Sequence, residues 1–492
     1  MLNLSATASI LDGQVFGRPP HDGEYTSVGA DSRAVVPGML FVALTGERFD
    51  GHDFVREALA QGAAAALVNH AFAAAHADLP LVAVADTRRA LGQLAAHWRS
   101  RFRIPLIGVT GSNGKTTVKE MCAAILRADH GQHAVLATVG NLNNDIGVPL
   151  TLLKLRHIHR AAVVEMGMNR AGEIDTLTHF ARPTVALVNN AQRAHLAGLG
   201  SVEGIARAKG EIFSGLGAEG VAVINADDPF ADYWRSLNVG RRILTFGFNA
   251  KADVRGAWRP LGFDSELSLA TPAGEALVTL PAPGMHNARN ALAAAAACLA
   301  AGVPLAPLVR GLSGYTGAQG RLQRKRGLND ALVIDDSYNA NPDSMRAAID
   351  VLATVPGRRI FVMGDMGEVG EAAGQLHSEI GGHAKSMGID YLFALGEKSA
   401  AAAHDFGDAG RHFAGIEALV KALRPLMDNE TTVLVKGSRF MRMERVVEAI
   451  TENVPAAESP QGGDDHEHGA AQRRTPVTPP RGGSGGGGHR AA

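Results

Sequence analysis

The chain is poor in the features that mark secreted, membrane-spanning and polyanion-binding proteins. It has two cysteines in 492 residues, Cys122 and Cys298. Two thiols cannot staple a chain of this length, and both lie in Ala- and Leu-rich helical contexts. They read as reduced core residues of a cytosolic protein. No stretch reaches the ~18 consecutive strongly apolar residues that a membrane span requires. Residues 1–12 place no basic region ahead of an apolar one, so no signal peptide is expected. Charge excess is also missing: 48 Lys and Arg against 49 Asp and Glu leave a net charge of −1. That excludes a nucleic-acid partner held by a basic surface. Aromatic residues are only 5%, whereas Gly numbers 58. The cores must be packed from Ala, Val, Leu and Ile, which suits helices lying close on sheets.

At about 150 residues per domain the length suggests about three domains. Apolar runs recur ahead of polar or charged residues and Ala-rich helical patterns. Leu106 to Thr110, Ala161 to Val164, Val185 to Val188 and Val221 to Ile224 are four of them. Ala331 to Ile334, Ile360 to Met363, Tyr391 to Leu395 and Val433 to Val435 form a later set. Strands alternating with helices predict an α/β protein with parallel sheets, whose ligands gather at the carboxyl ends of the strands. Between the two sets, period-2 spacing at Leu267, Leu269, Val278 and Leu280 brackets a Pro272 to Gly274 turn. It predicts a small hairpin insertion. Pro105 and the basic cluster Arg321 to Arg326 mark boundaries that divide the chain into 1–102, 103–320 and 321–455. In residues 456–492 the only aliphatic side chain larger than Ala is Val477. Such a segment buries too little to offset chain entropy and is expected to be a disordered tail.

Ile107 to Thr117 reads I-G-V-T-G-S-N-G-K-T-T. Gly111, Ser112, Asn113 and Gly114 form a loop whose backbone amides can turn around phosphate oxygens at a helix start. Lys115 would reach the β- and γ-phosphates, and Thr116 would ligate Mg²⁺, with Thr117 alongside. The full spacing of such loops asks for glycine where this chain has Val109, so it is a shortened variant. A nucleotide-binding loop is predicted.

Glu165 and His195 both follow predicted strands, on the ligand edge of a parallel sheet. A carboxylate and an imidazole there could hold a metal between the nucleotide and a second anion, although a lone histidine beside a loop is more often structural. Lys209 lies four residues after Ile205 and three before Ile212, on the apolar face of a helix starting near Ser201. It either snorkels to solvent or carries a depressed pKa and a chemical task.

Together, T-G-S-N-G-K-T-T (110–117), N-L-N-N-D-I-G-V-P-L-T-L-L (141–153), E-M-G-M (165–168) and H-L…A-K-G-E-I-F (195–213) resemble the Mur ligase family of peptidoglycan synthesis. H-N-A-R-N-A (286–291), Gly320-Arg321, D-D-S-Y-N-A-N-P-D-S-M (335–345) and M-G-D-M-G-E (363–368) extend the resemblance over roughly residues 25 to 450. Val369 stands where leucine is more usual, and the tail has no counterpart in the family pattern.

The resemblance implies a small N-terminal α/β domain, a central parallel-sheet P-loop ATPase domain and a C-terminal Rossmann-like domain. It implies an ATP- and Mg²⁺-dependent ligase acting in the cytoplasm, expected as a monomer. That ligase would join D-alanyl-D-alanine to UDP-N-acetylmuramoyl-tripeptide through an acyl phosphate. Ser32, Arg33, Thr45 and Gly46, which offer donors to uracil carbonyls and phosphates, would hold the UDP end. Asn287 and Asn290, three apart on one helix face, would meet adenine, with Arg321 and Asp336 completing the ATP site. Asn339, Asn341, Lys436, Ser438 and Arg439 would serve the dipeptide side. Lys115, Glu165, His195 and Lys209 would be catalytic, and Thr116, Glu165, His195 and a carbamylated Lys209 would hold the metal. Two alternatives differ in class or substrate. An NTP-gated binding protein would need no amine acceptor. A folylpolyglutamate-type ligase would not need the region from Asp31 to Phe54.

Overall fold

The computed structural model describes residues 1–17 and 24–452. The expected disordered tail, 456–492, lies outside the described residues. Three sheets follow one another along the chain. The first has five strands in the order Gln14–Phe16, Leu81–Val84, Ala65–Asn69, Met39–Val42, Ser27–Gly29. All neighbours in it run parallel except the first pair.

The second sheet has nine strands. Strand Leu106–Thr110 lies parallel between Ala161–Glu165 on one side and Val185–Val188 on the other. Beyond Val185–Val188 come Val221–Asn225 and Arg242–Gly247, again parallel. These strands are buried throughout or nearly so. The chain leaves Leu106–Thr110 toward one edge, at Val135–Ala137, and later returns to build the other. The order reverses beside Leu106–Thr110, the point at which open α/β sheets bind ligands.

The predicted hairpin is present as Asp264–Thr271 paired with Gly274–Leu280. It is not a separate insertion. Val254–Leu261 pairs antiparallel with Asp264–Thr271 and parallel with Arg242–Gly247, so the hairpin continues the nine-stranded sheet. Leu267, Leu269, Val278 and Leu280 are buried on its inner face, as their spacing requires. The third sheet has six strands, with Leu332–Asp336, Thr431–Lys436, Arg358–Gly364, Tyr391–Leu395 and Gly410–Phe413 all parallel.

Alanine does the packing that aromatics do elsewhere. In the helix Met285–Ala300, Ala288, Ala291 and Ala293 to Ala297 are all buried. That helix lies against both the sheet and the helix Lys115–His130, whose Val118, Met121, Cys122 and Ile125 face inward. Cys122 and Cys298 meet in this core as free thiols. Among the described residues no helix is long and apolar enough to cross a membrane.

Arg99 fastens the first layer to the second. Its side chain is buried in the helix Thr87–Ser100 and donates to the carbonyls of Ala181, Phe102 and Ile104. Ala181 ends the helix Glu173–Ala181, where a cation also complements the helix dipole. Burial, and secondarily Arg182, pushes the guanidinium down to about 10, so it stays charged at neutral pH. Arg99→Met leaves these carbonyls without their donor and is expected to cost about 2–3 kcal/mol. The melting temperature should fall by several degrees. An unchanged midpoint would contradict this role.

Candidate nucleotide and ligation site

The loop 111–114 leaves Leu106–Thr110 and enters the helix Lys115–His130 at the reversal point of the sheet. Gly114 has φ +78°, and a Cβ there would come within 2.3 Å of Asn290 Oδ1 and 2.6 Å of Asn189 Nδ2. Only glycine fits this turn. Lys115 Nζ donates to the carbonyls of Gly111 (2.7 Å) and Ser112 (3.1 Å), which it would exchange for phosphate oxygens. Burial lowers the Lys115 pKa, and Glu165 opposes that shift.

The segment after Val185–Val188 grips this loop. Asn189 Nδ2 donates to Asn113 O and to Asn290 Oδ1, both at 2.9 Å. Asn190 Oδ1 accepts from Asn113 N, and Gln192 Oε1 accepts from Asn113 Nδ2. These asparagines and the glutamine were not singled out from the sequence. The signal was there, since polar residues directly after a buried strand occupy the ligand edge.

Ser112, Asn113, Gly114, Lys115 and Thr116 line a cavity of about 410 Å³ together with His195, Arg321, Asn339, Asn341, Ser438 and Arg439. The predicted phosphate-loop residues and most of the predicted dipeptide-side residues thus face one space. A neighbouring cavity of about 120 Å³ is lined by Thr117, Asn287, Asn290, Arg321, Asp336 and Lys436. Asn290 Nδ2 donates to Asn287 Oδ1, as their spacing on one face allows, and neither residue is the N-cap of its helix. Lys436, expected on the dipeptide side, lines this second cavity instead. Its buried Nζ donates to Asp336 Oδ2 (2.6 Å) and to Asn339 O (2.9 Å). Burial lowers its pKa, and Asp336 opposes that shift. Burial, then Lys436 and Arg289, pushes the adjacent His286 down to about 4 and keeps its ring neutral. Ser438 Oγ accepts from Gly367 N and donates to Ala340 O, while Arg439 lies over the Tyr338 ring and pairs with Glu444.

Glu165 ends its strand almost fully buried. One carboxylate oxygen accepts from Asn143 Nδ2 at 2.8 Å, and the other has no partner. Lys209 sits in the helix Val202–Gly210 at 0% exposure, so it does not snorkel, and its Nζ has no hydrogen-bond partner. Burial holds its pKa well below the ordinary lysine value. Lys115 pushes the same way and Glu165 opposes. His195 adopts a left-handed backbone at φ +59°. Its Nδ1 lies 2.6 Å from Glu368 Oε2, in a loop of the third layer that the sequence reading left unassigned. The close approach of His195, and less strongly the charge of Lys115, keeps the Glu368 carboxyl low.

These donors fit a divalent cation in part. An unpartnered buried carboxylate oxygen and a threonine hydroxyl suit Mg²⁺. His195 would have to release Glu368, and Lys209 fits only if its amine becomes an anion. Among the described residues no three His, Cys, Asp or Glu side chains cluster as a metal site. Thr116 and Lys209 fall outside those residue types.

The residues expected at the UDP end, Ser32, Arg33, Thr45 and Gly46, follow the carboxyl ends of strands Ser27–Gly29 and Met39–Val42. Ser32 and Arg33 form a short turn capped by Asp31. Arg33 is turned back onto Asp31 through two side-chain bonds of 2.9 and 2.8 Å, which hold the Asp31 carboxyl down to about 2. Thr45 Oγ1 donates to Asp50 beside Gly46.

A phosphate loop at a sheet reversal, facing a second α/β layer across a polar cavity, defines a nucleotide-using enzyme. Three family descriptions match along the chain: "Mur ligase family, catalytic domain" over residues 24–99, "Mur ligase middle domain" over 109–298, and "Mur ligase, glutamate ligase domain" over 320–439. The chain belongs to the Mur ligase family. It is 44% identical over 456 residues to the UDP-N-acetylmuramoyl-tripeptide–D-alanyl-D-alanine ligase of Escherichia coli K12, covering 92% of this chain and 99% of that one. The crystal structure of MurF from Acinetobacter baumannii superposes with a TM-score of 0.82 at 37% identity, covering 91% and 98% of the two chains. MurF of Thermotoga maritima, solved in complex with ADP, gives 0.73 at 28% identity, covering 86% and 96%.

Proposed function

We propose that this protein is an ATP-dependent, ADP-forming ligase that joins D-alanyl-D-alanine to UDP-N-acetylmuramoyl-tripeptide, yielding the pentapeptide precursor of peptidoglycan. The observation that carries the chemistry is the meeting of the phosphate loop and the third-layer residues in one cavity, beside two buried unpartnered groups, Glu165 Oε2 and Lys209 Nζ. The substrates follow from the relatives' names and the near-complete coverage of both chains.

In this reading residues 1–102 hold the UDP end through Ser32, Arg33, Thr45 and Gly46. Residues 103–320 hold ATP through the loop 111–117, Asn287 and Asn290, with Arg321 and Asp336 closing from the third layer. Residues 321–455 present the dipeptide through Asn339, Asn341, Ser438 and Arg439, and Lys436 orients Asn339 through its carbonyl. The substrate carboxylate attacks the γ-phosphorus, ADP leaves, and an acyl phosphate forms. The dipeptide amine then adds to the carbonyl carbon and phosphate departs. Two anions must approach in the first step, and Lys115 lowers their repulsion. Thr116, Glu165, His195 and carbamylated Lys209 would hold Mg²⁺, which supplies charge neutralisation on the phosphoryl oxygens when bound. Lobe closure excludes water that would hydrolyse the acyl phosphate. Cytoplasmic action as a monomer belongs to the same reading, and the two buried free thiols suit a reducing compartment.

Phosphate release tests it. Turnover should require nucleotide-tripeptide and D-alanyl-D-alanine together, and free D-alanine or glutamate should not replace the dipeptide. Comparable rates with a single amino acid would move the protein to another branch of the family. Release that ignores both substrates would favour an NTP-gated binding protein.

A further inference from the structure

We propose that Arg193 is the latch that couples closure of the third layer to the phosphate loop, making it a positioning residue for the reaction. It lies in the short segment that follows Val185–Val188. Immediately before it, the Gln192 carbonyl accepts from Ser112 Oγ, and Gln192 N donates back to the same hydroxyl oxygen. Arg193 itself turns the other way. Its backbone N donates to Asp343 Oδ2 (2.9 Å), and its Nε and Nη2 donate to Asp343 Oδ1 (3.1 and 2.7 Å). Its Nη1 reaches Glu379 Oε2 at 3.4 Å, where Arg346 of the third layer also points.

Asp343 is in the first turn of the helix Pro342–Ala353, and its N-cap, Asn341, exchanges side-chain bonds with Asn113 of the phosphate loop. One arginine therefore sits between the residue that holds the loop and the helix that carries the third-layer half of the cavity. The pair is only 31% and 23% exposed, so solvent screens it less than a surface pair. A forked guanidinium donating twice to one carboxylate, with the backbone N–H donating a third time, also fixes direction, which a point charge does not.

A latch acts on the closed population and not on the chemical step. Losing it taxes every event that needs the closed state. Arg193→Ala should raise KM for ATP about tenfold, the effect of a good charge-assisted pair, with kcat at saturating ATP changed less than about threefold. Arg193→Lys should fall between the two. The reversed pair, Arg193→Asp with Asp343→Arg, should recover KM to within about threefold of the wild type, by restoring opposite charges at the same two positions. A purely structural role predicts the opposite split, with kcat falling alongside the folded fraction and KM unmoved.

The kinetic readout rests on the ligase reading, and the two failures differ. A wild-type protein that forms no peptide bond fails that reading. An active wild type whose KM for ATP ignores Arg193 fails the latch alone. A raised KM that the reversed pair does not lower also overturns it. Should the reversed pair not fold, Asp343→Asn must show the same split as Arg193→Ala, and an unchanged KM there overturns the proposal.

Discussion

Replacing Lys209 with alanine is expected to lower kcat about 10³-fold, the scale of losing a preorganised charge in an active site, while leaving nucleotide affinity largely intact. The expectation starts from burial. Lys209 has 0% exposure and no hydrogen-bond partner, and desolvation is the largest cause of its lowered pKa. Desolvation favours the neutral amine. A neutral amine can add to CO₂: the nitrogen lone pair forms the N–C bond, one C=O π pair moves to oxygen, and the nitrogen loses a proton to solvent. The product is an anion with two oxygens, which turns a buried, unpartnered amine into a metal ligand. Small carboxylic acids should partly rescue Lys209→Ala by supplying the missing anion. Lys209→Arg should stay inactive, because a guanidinium neither carbamylates nor tolerates Mg²⁺. An active Lys209→Arg enzyme, or density for an unmodified lysine beside bound nucleotide and metal, would sink the idea.

The second large effect is on stability. Lys436 and Asp336 are both buried and bonded at 2.6 Å, joining neighbouring strands of the third sheet. Asp336→Asn keeps the shape and strands the ammonium. Removing one partner of a buried pair costs about 3–5 kcal/mol, which in a protein of this size lowers the melting midpoint by about three to five degrees. The pH dependence has a definite sign. In the variant, Lys436 has a folded pKa below its unfolded value of about 10.4, since burial lowers it and Asp336 no longer opposes. Between those two values the unfolded chain binds more protons, so stability rises with pH. The deficit relative to wild type should be largest near neutrality and shrink toward pH ~10. Adding Lys436→Met should recover part of the loss, because both charges are then gone. Equal stability of wild type and Asp336→Asn across that window would refute the pairing.

Much of the scaffold was legible because parallel strands are buried on both faces and read as uninterrupted apolar runs. Leu106–Thr110, Val185–Val188 and Tyr391–Leu395 begin and end where their sequences say. The edges were not. Gln323–Arg326, Q-R-K-R, has no apolar residue and reads as a basic boundary, yet it is a strand, held by antiparallel pairing with Leu332–Asp336. The hairpin's own pairing was readable from period 2, but its continuity with Arg242–Gly247 depends on Val254–Leu261 lying alongside. Lys209 was legible because helical spacing alone puts it on an apolar face. Contacts such as His195 to Glu368 and Arg193 to Asp343 join positions far apart in the chain. Nothing local distinguishes Glu368, Arg193 and Asp343 from solvated charges, and only the docking of the third sheet onto the second brings each pair together.

The central claim is the bond that the enzyme makes. Wild-type protein would be incubated with ATP, Mg²⁺, D-alanyl-D-alanine and UDP-N-acetylmuramoyl-tripeptide carrying heavy oxygen in its terminal carboxylate, and the products weighed by mass spectrometry. The nucleotide-peptide should gain the mass of the dipeptide less one labelled water equivalent, with ADP formed one for one and the lost heavy oxygen recovered in inorganic phosphate. A product lacking the dipeptide, or phosphate free of the label, would contradict ligation through an acyl phosphate.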